Sequence, residues 1–186
     1  MKKQLLSLSA AFVLILAGCG ATPTKDEKPA VSDEETHDGM EGMDHSSDGS
    51  VPEGLQEAEN PKFEIGSQAI VETDHMKGMK GATATIVGAY DTTAYSINYT
   101  PTDGGEKVMD HKWVIHEELK DAAAAPLEKG TEVTVLADHM KGMEGAKAEI
   151  ESAKQTTVYM IDYVPTTGRE EVTNHKWVIE DELSEK

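Results

Sequence analysis

The sequence has very little of three things: cysteine, aromatic residues and positive charge. Its 186 residues include one cysteine, two tryptophans, two phenylalanines and five tyrosines. A single cysteine rules out an intramolecular disulfide framework and any zinc site built from several cysteines. So few aromatic residues predict small cores built from alanine, valine and isoleucine. With 17 basic and 35 acidic residues, the net charge is −18, which argues against nucleic-acid binding and favours attraction of cations.

The N-terminus has the pattern of a bacterial lipoprotein signal, which predicts a signal peptide over residues 1–18. Lys2 and Lys3 precede an apolar run over residues 5–16. This run has the length of a secretory signal core and is shorter than the roughly twenty residues of a membrane span. Leu-Ala-Gly then stands directly before Cys19, which matches the lipobox and implies lipidation of that thiol and anchoring on the outer face of the cell membrane. The alternative is an ordinary signal peptide followed by an unrelated cysteine.

Residues 19–60 are predicted to form a disordered acidic stalk. Prolines recur, large aliphatic residues are rare, and residues 20–60 contain twelve acidic and two basic side chains. Such a segment buries too little apolar surface to offset the entropy of the chain. Methionine is unexpected where there is nothing to pack against. Even so, four side chains able to bind a soft metal lie close together here: His37, Met40, Met43 and His45.

The rest of the chain is one unit written twice. Residues 61–120 align without a gap with residues 125–184, and about 31 of the 60 aligned positions are identical. Self-similarity at a fixed spacing indicates a repeat architecture. The sequence therefore predicts two repeats, 61–120 and 125–186, joined by a short linker.

Alternating patterns within each repeat predict β-strands. Ala82, Ala84 and Ile86 recur in the second copy while their neighbours change, as in a half-buried strand. Tyr95, Ile97 and Tyr99 recur with the same alternation. Pro and Gly residues between these segments predict turns. We therefore predict a mainly β protein, a tandem pair of small SH3-like (KOW-type) β-barrels, although this fold analogy carries no function.

The combination of lipobox, acidic His/Met stalk and two HMKGM…YxIxY…HKWVI units resembles the YdhK-type lipoprotein family of Gram-positive bacteria. The resemblance extends over nearly the whole mature chain. Its domain is known as a domain of unknown function, and some relatives are described as copper-binding surface lipoproteins linked to copper tolerance. The resemblance therefore implies a surface lipoprotein that binds copper, contributing to copper sequestration or tolerance.

The residue types point independently to copper. A Met thioether has no proton to lose, and soft thioethers select Cu(I), while imidazole binds both oxidation states of copper. The Met-x-x-Met spacing of the stalk recurs in both repeats beside a histidine. The candidate ligands in the repeats, with two further histidines that precede the Trp strands, are His75, Met76, Met79, His111, His139, Met140, Met143 and His175.

Each of these candidates in the repeats has a structural alternative. The methionines of the Gly-bounded loops are equally well explained as flexible apolar filler at the mouth of a barrel. His111 and His175 stand beside Trp113 and Trp177, and a histidine next to a buried aromatic is more often a hydrogen-bonded structural residue. Asp74 and its twin are adjacent to a histidine, a position suited to orienting a ligand imidazole.

Nothing in the sequence indicates an enzyme: it contains no nucleophile elbow, no phosphate-binding Gly loop and no cysteine beyond the lipobox. We expect no organic cofactor. The expected partners are the membrane, through the lipid anchor, and components of copper transport or the cell wall. The alternative function is a non-enzymatic module that binds cell-wall or protein partners through a groove lined by Tyr95, Tyr99 and Trp113, although core packing is the simpler reading of those aromatics.

Overall fold

The computed structural model describes residues 46–186, in which the regular secondary structure is almost entirely β-strand. Over this range no helix is long and apolar enough to cross a membrane. The only helical elements there are two 3-10 turns, His116–Glu118 and Glu180–Glu182. The strands are β1 (Gln56–Glu57), β2 (Gln68–Val71), β3 (Thr83–Tyr99), β4 (Val108–Ile115), β5 (Glu132–Thr134), β6 (Lys147–Tyr163), β7 (Val172–Ile179) and β8 (Leu183–Glu185). The prediction of a mainly β protein is confirmed.

The two longest strands, β3 and β6, form the centre of the sheet. Each has 17 residues, and the two pair antiparallel, from Ala84 opposite Tyr163 to Tyr99 opposite Ala148. Thr92 lies opposite Thr156, and these are equivalent positions of the two repeats. The repeats are therefore related by an internal twofold axis that passes between these two threonines.

The shorter strands extend the sheet on both sides of this central pair. On β3 the partners are β2, β1 and β4, whereas β6 pairs with β5 and β7. The C-terminal strand β8 of the second repeat pairs with β2 of the first, with Val71 opposite Leu183. In the equivalent place Leu119 bridges to Val135. The C-terminal residues of each repeat thus pair with an edge strand of the other repeat.

Hydrophobic packing also mixes the repeats. Three clusters form, two at the ends of the central strand pair and one near its middle. One end cluster includes Tyr95, Ile97 and Tyr99 of the first repeat with Val135, Met140, Met143, Ala146 and Ile150 of the second. The other includes Val71, Met79, Ala82, Ala84 and Ile86 of the first repeat with Tyr159, Ile161, Tyr163, Val178 and Leu183 of the second. The central cluster contains Ala94, Trp113, Ile115, Val158, Met160, Trp177 and Ile179.

This arrangement differs from two barrels that each pack within one repeat. The alternating segments at Ala82–Ile86 and Tyr95–Tyr99 were expected to be separate strands, but Thr83–Tyr99 is one continuous strand. The reason is that the middle of β3 pairs with β6 instead of turning back. The SH3-like barrel is not confirmed, and the repeat boundaries 61–120 and 125–186 stay a prediction.

The predicted disorder of the stalk is wrong for its last part, residues 46–60. The backbone amide of Ser47 donates to the Thr173 carbonyl at 3.0 Å, and the Thr173 amide donates to the Ser46 hydroxyl at 3.0 Å. Further on, β1 pairs with β3, and Leu55 packs on the central cluster. Although this segment is rich in polar residues, main-chain pairing with strand edges holds it on the sheet. The signal peptide and the rest of the stalk lie outside the described residues.

A glycine substitution tests the contact between the repeats at one end of the sheet. Gly78 has φ +86°, and an added Cβ would lie 2.9 Å from the Thr167 hydroxyl and 3.1 Å from Pro165. We expect Gly78→Ala to lower the free energy of unfolding by more than the roughly 1–3 kcal/mol typical of a left-handed non-Gly residue. Gly66→Ala is the matched control, since Gly66 has φ +85° with nothing within 4 Å. Denaturant unfolding with equal losses for the two variants would contradict the inter-repeat contact.

Candidate functional site

A cavity of about 520 Å³ lies where the two repeats meet. Its wall contains the same three side-chain types from each copy, namely an aspartate, a histidine and a methionine. Ser46, Ser47, Asp48 and Ser50 of the N-terminal segment also line it. The predicted candidate ligands that line the cavity are His75, Met76, His111, His139, Met140 and His175. Six side chains singled out by their spacing are thus brought to one place.

The two Met loops, residues 74–79 and 138–143, present only their first methionine to this cavity. In each loop a tight turn closes when the amide of the second methionine donates to the carbonyl of the first, at 3.0 Å. Met79 and Met143 are fully buried in the two end clusters and do not line the cavity. Met79 and Met143 are therefore core residues only, whereas Met76 and Met140 line the cavity and also pack against the end clusters. For Met79 and Met143 the filler interpretation fits their placement.

The opposite repeat supplies a carboxylate to each Met-loop histidine. His75 Nε2 lies 2.7 Å from Glu182 Oε1. The Trp113 indole donates to Glu182 Oε2 at 2.9 Å, and the Ile179 amide donates to the same oxygen at 3.1 Å. One carboxylate of the second repeat thus joins a histidine and a tryptophan of the first.

The twofold-related junction repeats this arrangement around Glu118. His139 Nε2 lies 2.8 Å from Glu118 Oε1, and the Trp177 indole lies 3.2 Å from both carboxylate oxygens. The Ile115 amide donates to Oε2 at 3.0 Å. Glu118 is only 5% exposed. A carboxylate buried to this degree requires several donors, and the junction supplies three.

Electrostatics favour an ionised carboxylate at Glu182. Burial by itself would raise the pKa of Glu182. The hydrogen bonds that the carboxylate accepts from the His75 imidazole, the Ile179 amide and the Trp113 indole outweigh burial and hold the pKa of Glu182 below its usual value. Glu182 therefore acts as an acceptor, and its histidine partner is the donor.

The second ring nitrogen of each Met-loop histidine, Nδ1, makes no hydrogen bond within the described part of the chain. The Nδ1 atoms of His75 and His139 are buried and have no hydrogen-bond partner among residues 46–186. The two side chains are 11% and 10% exposed. Buried polar atoms without partners are rare in folded proteins. Each Met loop thus has a buried imidazole nitrogen without a partner, next in the chain to a methionine that lines the cavity.

The two histidines that precede the tryptophans stand against tyrosines at the cavity wall. The His111 and Tyr99 rings are in edge contact with centroids 5.8 Å apart, and His175 and Tyr163 repeat this at 5.8 Å. Burial raises the pKa of Tyr163 to about 12 and also raises that of Tyr99. Both phenols therefore stay neutral. Tyr163 belongs to the end cluster that contains Met79, so His175 contacts a tyrosine that shares a core with the Met loop of the other repeat.

The described side chains at the cavity do not form a complete metal site built from His, Cys, Asp and Glu. Over residues 46–186 no group of three or more His, Cys, Asp or Glu side chains is arranged to hold a metal ion. A site built from one imidazole and one thioether suits a soft ion that accepts few ligands, and Cu(I) is such an ion.

The remaining predicted residues are placed as follows. Cys19, His37, Met40, Met43 and His45 lie outside the described residues. The aromatics proposed as a binding groove, Tyr95, Tyr99 and Trp113, are 0%, 1% and 7% exposed, so core packing is confirmed for them. Glu118 and Glu182 were not identified as site residues from the sequence. The one sequence feature that could have pointed to these two glutamates is the Glu-Leu pair that recurs at the end of both repeats.

Comparison with known proteins identifies the fold of this chain and its repeats. The family described as "Protein of unknown function (DUF1541)" matches twice, at residues 65–116 and 129–180. The uncharacterized protein YdhK of Bacillus subtilis strain 168 is 57% identical over 182 residues, covering 98% of this chain and 87% of the relative.

Solved structures of the same relative agree. The crystal structure of YdhK from Bacillus subtilis, at 64% identity, superposes with a TM-score of 0.75 over 78% of this chain and 99% of that one. A solution NMR structure of the YdhK C-terminal domain, at 63% identity, gives a TM-score of 0.64 over 67% of this chain and 94% of that one. The predicted resemblance is confirmed: this chain belongs to the YdhK-type DUF1541 family and carries two copies of its domain.

Proposed function

We propose that this protein is a non-enzymatic, surface-anchored lipoprotein that binds Cu(I) in the cavity between its repeats and so contributes to copper sequestration or tolerance. The observation that carries the proposal is the gathering of two His-Met pairs, His75 with Met76 and His139 with Met140, at one cavity. Lipidation of Cys19 would hold the cavity on the outer face of the membrane.

The charges around the cavity support cation capture. Asp48, Asp74, Asp110 and Asp138 line it, against Lys112 and Lys176. The excess of carboxylates raises the local concentration of cations. Selectivity then comes from the soft thioethers, from which Zn(II) gains little.

The stalk is proposed to act as a collector for the cavity. Ser46 lies in the cavity wall, and the sequence immediately before it carries Met43 and His45. Wrapping a chain segment around an ion costs about 1–2 kcal/mol of backbone entropy per residue ordered. The Met loops are already held by strands and lose less, so they are proposed to retain copper more tightly than the stalk.

The test uses methionine replacements inside and outside the cavity. We expect the Met76→Leu/Met140→Leu protein to bind Cu(I) more weakly by at least about 10- to 100-fold, the loss that is typical when only an outer partner of a metal ligand is removed. The matched control is Met79→Leu/Met143→Leu, in which each replaced residue belongs to the same loops but is fully buried. Exchange of Met for Leu conserves volume and costs under about 1.5 kcal/mol.

Affinity is measured by Cu(I) titration against a chromophoric chelator, with Zn(II) as competitor. Equal affinity for both variants and the native chain would overturn the cavity as the site. If the native chain takes no Cu(I) from the chelator while remaining folded, the copper proposal fails, and a wall- or protein-binding role takes its place.

A further inference from the structure

Each Met-loop histidine is held through one ring nitrogen by the opposite repeat, and this leaves the other nitrogen free to act. His75 Nε2 meets Glu182 at 2.7 Å and His139 Nε2 meets Glu118 at 2.8 Å. Both Nδ1 atoms are buried without a partner among residues 46–186. The same asymmetry within the ring occurs twice, in two halves that share about half of their sequence.

We propose that Glu182 and Glu118 are positioning residues for the copper sites and that each serves the histidine of the other repeat. A carboxylate at Nε2 fixes the tautomer with the proton on that atom, so that Nδ1 carries the lone pair and is the ligand atom. This inference rests on the proposed function. Beyond that function, it identifies Nδ1 as the ligand atom and a glutamate as the residue that orients it. It also means that each copper site needs residues of both repeats.

The other contacts of each carboxylate fix its position independently of the histidine, and this is why the carboxylate can orient the imidazole. Glu182 also accepts from the Trp113 indole at 2.9 Å and from the Ile179 amide at 3.1 Å. The Ile179 amide is fixed by the backbone, and Trp113 is 7% exposed in the central cluster. The carboxylate is thus fixed from two directions before the imidazole meets it.

Replacing the carboxylate by an amide would remove this control. A carboxylate is acceptor-only, whereas glutamine presents one acceptor oxygen and one NH₂ donor group. Three donors, an imidazole, an indole and a backbone amide, converge on each glutamate. In Glu182→Gln at least one donor therefore faces the NH₂ group, and the imidazole proton is no longer fixed on Nε2. Disturbing such partners typically costs about 10- to 100-fold in metal affinity.

The decisive experiment measures the one site that remains when a histidine is removed. In a His75→Ala background the His139 site is the one cavity site left, and it is measured as the tightest binding step because the stalk is proposed to bind more weakly. There we expect Glu118→Gln to weaken Cu(I) binding about 10- to 100-fold, whereas Glu182→Gln should change nothing further, because its histidine is gone. If each glutamate served its own repeat, the two results would be exchanged.

A matched control tests whether removing any negative charge from the 3-10 turn that contains Glu118 weakens Cu(I) binding. Glu117 is adjacent to Glu118, but it accepts from the Thr92 hydroxyl at 2.7 Å and does not line the cavity. In the His75→Ala background, Glu117→Gln should leave the affinity unchanged. If it weakens binding as much as Glu118→Gln, the positioning role is overturned.

A metal-free readout separates this inference from the proposed function. Long-range ¹H–¹⁵N NMR of the native chain should show His75 and His139 with the proton on Nε2. Glu182→Gln should alter the His75 pattern and leave that of His139 unchanged. Protonation on Nδ1 in the native protein would overturn the inference without any variant having to fold. Failure to bind Cu(I) with the expected tautomers would overturn only the copper function.

Discussion

Replacing Trp177 by alanine should lower the free energy of unfolding by about 3–5 kcal/mol, the range found when a buried aromatic residue is truncated. Trp177 is fully buried and belongs to the central cluster, to which both repeats contribute. Its indole also donates to the carboxylate of Glu118, which is itself buried. Truncation therefore opens a cavity and removes a donor from a buried charge, and both effects destabilise. Urea unfolding followed by tyrosine and remaining tryptophan fluorescence measures the loss.

Trp177→Phe helps to separate the two effects, because it removes the N–H but keeps an aromatic ring and leaves a smaller void than alanine does. We expect the loss of stability in Trp177→Phe to be less than half of the loss in Trp177→Ala. A loss below about 0.5 kcal/mol for the alanine variant, which is the level of an ordinary surface change, would mean that the central cluster does not hold the repeats together.

Two deletions of the N-terminal segment should differ sharply in stability. Removing residues 20–45 should leave the free energy of unfolding unchanged and lower the copper stoichiometry, while the tightest binding is retained. Extending the deletion to residue 60 should also cost about 2–3 kcal/mol, because several hydrogen bonds, each with a net value of about 0.5–1.5 kcal/mol, are lost. Among them are those of Ser47 and Ala58 with the Thr173 and Ala89 carbonyls, both at 3.0 Å.

The comparison is made by denaturant unfolding and Cu(I) titration of both deletions beside the native chain. Equal stability of the two deletions would contradict a structural role for residues 46–60. Loss of all copper binding on removal of residues 20–45 would instead identify the stalk as the only metal site and leave the cavity as a structural feature.

The repeat pattern predicted the strands well and their packing partners poorly. Alternation in one copy, checked against the other, correctly identified Ala84 and Ile86, and likewise Tyr95 and Tyr99, as inward-facing residues. It could not identify what they face, because both copies carry the same pattern and either one satisfies it. Tyr95 packs with Val135 of the other repeat, and this exchange becomes visible only when β3 is seen to pair with β6.

The same limit applied to the site. Spacing identified the histidines and methionines, but it could not distinguish Met76 from Met79, because both follow the same histidine in a glycine-bounded loop. Burial divides them: Met79 is fully enclosed, and Met76 lines the cavity. Glu182 was missed because its partner His75 is 107 positions away in the chain, and no local pattern reports such a contact.

The interleaving of the two repeats has a consequence for fragments of this protein. The linker around residues 121–126 is the only covalent connection between halves that share a sheet, two end clusters and a pair of His-Glu contacts. A chain cut there has lost one peptide bond and none of these contacts. Separate polypeptides for the two halves should therefore assemble by complementation. A chain with a single repeat would expose the edge and the half-clusters that its partner normally covers, and it would bury them by forming a homodimer.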